Sequence, residues 1–134
     1  RIAAISVAGR VAQERGQSIG KEVGYQVRFE RAVGPDTRLI FLTAGVMLRK
    51  IQEDPTLRGI GCVILDEVHE RDVNTDFVML ALKQVLLAGS TKAKVVLMSA
   101  TLQAETFVQY FGDVTETLAE AGIQRPDGHV EGAK

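Results

Sequence analysis

Residues Gly61 to Arg71 read GCVILDEVHER, and this stretch decides the fold. Cys62-Val63-Ile64-Leu65 is an unbroken apolar run. A half-exposed strand would alternate apolar with polar residues, so a continuous run predicts a buried strand of a parallel sheet covered on both faces. Cys62, the one cysteine, then reads as a small buried hydrophobe, and no disulfide can form within the chain. Two adjacent carboxylates, Asp66 and Glu67, leave the strand at its carboxyl end, the edge at which open α/β sheets bind ligands. Side by side they repel and lose hydration, so they call for a cation or a proton. Mg2+ suits them, because this hard ion keeps several waters and takes one or two carboxylates plus phosphate oxygens. The same letters also fit a strand end with a solvated acidic turn, and the pair by itself does not choose.

The residues that follow do choose. Asp66-Glu67-Val68-His69 resembles the DEAH form of motif II in the DExH-box helicases, with Val68 where that form has alanine. The continuation HERDVNTDF is similar to the RNA helicase A branch of that family. Thr43 to Arg49, TAGVMLR, is similar to motif Ib, and Ser99-Ala100-Thr101 to motif III. Ala44 departs from the acidic residue common at its place in DEAH proteins. Arg1 stands where motif Ia ends.

This resemblance implies a partial RecA-like ATP-binding domain over residues 1–114, an α/β three-layer sandwich with a mostly parallel sheet. It implies ATP and Mg2+ as cofactors and RNA as partner. Asp66 would hold the metal through water, Glu67 would prepare the attacking water, and His69 would couple the ATP site to RNA through Ser99 and Thr101. Arg1, Thr43, Gly45 and Arg49 would meet the RNA backbone. A second RecA-like domain would complete the nucleotide site. The location implied is intracellular, with compartment and oligomeric state open.

At 134 residues the chain has room for one domain with a useful core. It is 46% hydrophobic and 25% charged, ordinary globular composition. A formal net charge of −1 gives no basic footprint, so nucleic-acid binding has to be argued from particular groups. No run reaches the length of a membrane span.

In order along the chain, Ile2 to Arg15 has apolar residues at helical spacing and Gly16 as its stop. Gly16 to Lys21, GQSIGK, offers two glycines and a lysine but fails as a phosphate loop. Three residues separate the glycines where four are needed, and Glu22 follows the lysine where Ser or Thr should. Tyr25 to Phe29 alternates as a strand, with Tyr25, Val27 and Phe29 facing the core. Gly34-Pro35-Asp36 is a turn, Arg38 to Leu42 a strand, and Val46 to Ile51 a short helix. Thr43 either caps that helix or receives a phosphate at its start, and spacing alone favours the cap. Asn74, Thr75 and Asp76 read as the start of a helix over Phe77 to Ala88, and Lys94 to Met98 as a second apolar strand. Ala104 to Phe111 reads as a last helix with Phe107, Val108 and Phe111 inward and Gly112 closing it. Residues 115–134 read as a flexible or aberrant tail, with His129 solvated.

No G-x-x-x-x-G-K-[ST] segment occurs in these residues. The expectation is that the 134 residues alone neither hydrolyse ATP nor unwind RNA, and that the strand at Val95 to Met98 is an exposed edge. The alternative is a short non-catalytic module that binds RNA or protein.

Overall fold

The computed structural model describes residues 1–100 and 104–120. Helix α1 (Ile2–Glu14) is followed by strands β1 (Val23–Val27), β2 (Glu30–Ala32) and β3 (Leu39–Leu42), then helix α2 (Ala44–Glu53). Strand β4 (Cys62–Leu65) leads through a 3-10 turn at Val68–Glu70 into α3 (Val73–Leu87), β5 (Lys94–Leu97) and α4 (Ala104–Glu120). The architecture is α/β, but the strands make two small sheets. One has the order β2-β1-β3, with β1 antiparallel to β2 and parallel to β3. The other is the parallel pair β4-β5, in register from Cys62 opposite Lys94 to Leu65 opposite Leu97.

Side chains of α2, β4 and α3 build the main core with Met47, Ile51, Val63, Val78, Leu82 and Val85, joined by Leu57 from the α2–β4 connection and closed by Ala93. Burying each larger member stabilises the fold by about 1.5–3 kcal/mol. Leu42 and Leu65, the last residues of β3 and β4, pack against this same cluster. Thr43 and Asp66 therefore leave their strands from a shared support. Ala8 and Ala12 of α1 pack on Val23 in a separate cluster beside β1 and β3, and Phe107 of α4 joins Val68 and Met79 in a third.

Several expectations are corrected. The β4-β5 pair is covered on one face only: Val63, Leu65, Val95 and Leu97 meet the helices, whereas Ile64 and Val96 are 52% and 41% exposed. The two faces alternate along each strand, and among the described residues no element packs over the second. Cys62 shares that open face and is exposed. Phe29 does not face a core: β1 ends at Val27, and Phe29 sits in the hairpin turn at φ 70, 87% exposed, with the Arg28 guanidinium 4.7 Å from its ring centroid. Strand β2 had no expectation at all.

Helix α3 begins at Val73, earlier than expected, because Asp72 supplies the cap by accepting the Thr75 N–H at 3.1 Å. Helix α4 runs through Gly112 to Glu120 and into the stretch read as a tail. Two contacts carry it on: Val114 is buried against Leu86, and Lys83 pairs with Asp113 at 2.9 Å. Val108 faces solvent. Thr101 and residues 121–134, His129 included, lie outside the described residues.

Candidate functional site

The stretch at the end of β4 is stitched to the end of β5 by main-chain bonds. Met98 donates its N–H to Leu65 at 2.8 Å, and Val68 returns its own to the Met98 carbonyl at 3.1 Å. Between them the backbone turns sharply at Glu67, which has φ 55 and ψ 36. That left-handed region costs a non-glycine residue about 1–2 kcal/mol, so the surroundings must impose it. Val68 is the anchor, 1% exposed in its apolar pocket. Arg71 repeats the left-handed geometry at the far end of the turn, with φ 53 and ψ 37.

The turn leaves Asp66 and Glu67 exposed, with the Glu67 N–H bonded to Asp66 Oδ1 at 2.8 Å. His69 connects them to the second strand end. Its Nδ1 accepts the main-chain N–H of Ala100 at 3.2 Å, and its Nε2 lies 3.3 Å from Glu67 Oε2. An N–H can only donate, so Nδ1 carries the lone pair and the neutral ring bears its proton on Nε2, facing the carboxylate. Ser99 precedes Ala100 in this loop. The loop after β5 is thus hydrogen-bonded to the imidazole, and the other ring nitrogen lies close to the Glu67 carboxylate.

Beyond His69, the Arg71 guanidinium reaches Asp76 through Nε and Nη2, the shortest contact being 3.0 Å. The Asp76 carboxylate holds Arg71 still further above its usual protonation range. Arg71 and Asp76 also border a hollow of about 140 Å³ whose walls include Met79, Phe107 and Tyr110.

Thr43 occupies the N-cap position of α2, but its side chain makes no capping bond. Its carbonyl accepts the N–H groups of Val46 and Met47, both at 3.0 Å. Gly45, in the first helical turn, has open space where a side chain would stand. Arg49 pairs with Glu53 one turn on, at 2.9 Å. Arg1 lies at the start of α1, 3.5 Å from Glu30. The GQSIGK segment borders an open hollow of about 750 Å³ with Arg15, Glu22 and Asp36. Arg15 there is taken by Glu22 at 2.7 Å, a contact that lowers the Glu22 carboxyl's proton affinity.

Sequence reading did not anticipate the left-handed backbone at Arg71 or its pairing with Asp76, which no residue type announces. It also missed Asp72 as the cap, although an Asp directly before the apolar Val73 was a usable signal.

No family model matches the chain. The Arabidopsis thaliana DExH-box ATP-dependent RNA helicase DExH3 is 54% identical over 112 residues, 84% of this chain and 9% of that protein. The Gallus gallus ATP-dependent RNA helicase DHX30 is 51% identical over 115 residues, again 84% of this chain and 9% of the relative. Among solved structures, the Escherichia coli DEAH/RHA helicase HrpB superposes with a TM-score of 0.77 at 42% identity, covering 84% of this chain and 14% of that one. The chain belongs to the DExH/DEAH-box RNA helicases. It spans about a tenth of the length of the curated relatives it matches.

Mg2+ fits the donors present. Among the described residues no three His, Cys, Asp or Glu side chains gather into a closed metal cage. The exposed Asp66 carboxylate is instead a hard oxygen donor of the kind that a well-hydrated ion would accept alongside phosphates. No helix among the described residues is long and apolar enough to cross a membrane.

Proposed function

We propose that the chain works as the motif II and motif III part of an ATP-dependent RNA helicase, a motor that couples ATP hydrolysis to movement on RNA. Asp66 offers a carboxylate to a hydrated Mg2+, which when bound would neutralise phosphate charge. Glu67 orients and deprotonates the attacking water. His69 keeps Glu67 in register with the loop that carries Ser99 and Ala100. The observation that supports this most is the Ala100 N–H bond to His69, whose Nε2 lies 3.3 Å from Glu67: it sets the end of β4 against the neighbouring strand end.

RNA contact is proposed at the start of α2 and at Arg1. The amide groups at a helix N-terminus receive a phosphate without net positive charge, which suits a chain of charge −1. Open space at Gly45 lets a backbone approach there. A second RecA-like domain of the same parent protein is the proposed source of the cationic groups that complete the nucleotide site. These residues on their own have no phosphate loop to hold the triphosphate and are proposed to be inactive in isolation.

The test is ATP turnover, with and without RNA, by the longer protein that contains this segment, by its Glu67→Gln variant and by the 134-residue chain. RNA-stimulated turnover reduced by about 10²–10⁴ in the variant is expected for loss of a general base, with none in the isolated chain. Full turnover in Glu67→Gln would overturn the assignment.

A further inference from the structure

Glu67 and Arg71 bracket the Val68–Glu70 turn with nearly the same left-handed backbone, φ 55 and 53. Neither is a residue that takes this region readily. At the Glu67 end three contacts impose it: the buried Val68 side chain, the Val68 N–H on Met98, and His69 held by Ala100. At the Arg71 end the main chain offers only a long bond, Arg71 N–H to Val68 O at 3.4 Å. The rest of the hold is the guanidinium on Asp76.

Asp76 lies in the first turn of α3, and Asp72, next to Arg71, caps that helix. The segment from 71 to 76 is therefore closed by two side-chain bridges, Arg71 to Asp76 and Asp72 to Thr75. The helix behind them is fixed in the core by Val78 and Leu82.

We propose that Arg71 is a positioning residue for the hydrolytic step: by gripping Asp76 it fixes the far end of the 67–71 turn and with it the aim of the Glu67 carboxylate. It acts through Glu67 and not on the nucleotide. The inference rests on the hydrolytic reading above. A direct contact between Arg71 and phosphate would depend on positive charge at position 71. A bridge depends only on opposite charges at 71 and 76, and exchanging them separates the two.

The experiment uses the longer protein with Arg71→Ala, the double exchange Arg71→Asp with Asp76→Arg, and Glu67→Gln. Arg71→Ala is expected to lower RNA-stimulated kcat by about 10- to 100-fold, the scale of a misaimed catalytic group. KM for ATP should stay within about twofold, as for an interaction made in the transition state. Amide hydrogen exchange at residues 68–71 should quicken about tenfold or more as the turn loosens. The exchanged pair should recover most of the lost kcat. An unchanged kcat in Arg71→Ala, an exchanged pair as slow as the single variant, or a kcat loss matched by a drop in melting temperature would each overturn the inference. Turnover lost in Glu67→Gln but kept in Arg71→Ala overturns it alone. Turnover kept in both overturns the hydrolytic reading with it.

Discussion

Ala100 gives its main-chain N–H to Nδ1 of His69 at 3.2 Å, across 31 residues of sequence. The bond decides which ring nitrogen faces Glu67, and it does so without any side chain from the loop. The expected outcome is a neutral His69 in the Nε2–H tautomer, with a cross-peak between Nδ1 and the Ala100 amide. Nitrogen NMR on histidine-labelled protein reads this directly, since the chain has only two histidines. An Nδ1–H tautomer would remove the proposed connection.

Glu67 sits in left-handed backbone with its carboxylate exposed. Asparagine tolerates that conformation better than glutamate does. Glu67→Asn is therefore expected to stabilise the fold by about 0.5–1 kcal/mol while abolishing the proposed water activation. Chemical denaturation beside a turnover assay would check both halves. A variant that loses stability would show that the carboxylate's contact with His69 outweighs the strain.

Periodicity and end signals made α1, β3, β4 and β5 legible within a residue or two, because each has a clear apolar pattern and a marked stop. Apolar content could not tell which faces are covered: Val63 and Ile64 are equally apolar, but only Val63 meets the helices. Phe29 misled for a related reason. Alternation continues through Tyr25, Val27 and Phe29, whereas the chain reverses after Val27 and strand pairing returns at Glu30. Asp66, Glu67 and His69 were legible as candidates only through the resemblance to motif II, because the acidic pair alone fits a solvated turn equally well. The left-handed turns that aim them were not, since Glu67 and Arg71 have no intrinsic preference for positive φ.

Gly24 and Gly45 should respond to alanine in opposite ways. A Cβ at Gly24 would stand 2.3 Å from the Ala32 carbonyl oxygen and 3.1 Å from Thr37 Cγ2, in the sheet beside β2. Backbone there has to shift, and Gly24→Ala is expected to destabilise by about 1–3 kcal/mol. Gly45 lies in α2 with nothing near its added carbon, so Gly45→Ala should stabilise by about 0.5–1 kcal/mol. The proposed RNA contact predicts weaker RNA binding by this more stable variant. Denaturant titration and RNA-binding isotherms, each at fixed salt, test the two effects separately.

The join between α3 and α4 should weaken in acid. Lys83 is largely covered, donates to the Tyr110 carbonyl, lies 4.4 Å from the Tyr110 ring centroid and reaches Asp113 at 2.9 Å. Its hydrogen bond holds the Asp113 carboxyl below its ordinary value of 3.8. The native state binds that proton less readily than the unfolded chain. The pair's contribution is thus complete above the unfolded value and is lost as pH falls through the lowered native one. Asp54 is lowered by its bonds from Thr56 and Arg58, and Glu22 by Arg15, so both act in the same direction. Asp113→Asn removes only the first of these. Melting temperatures of wild type and variant are therefore expected to differ at pH 7 and to converge as pH falls through the lowered native value of Asp113, with a residual acid slope left in the variant. A constant gap across that range would mean that Asp113 acts through packing and not through its charge.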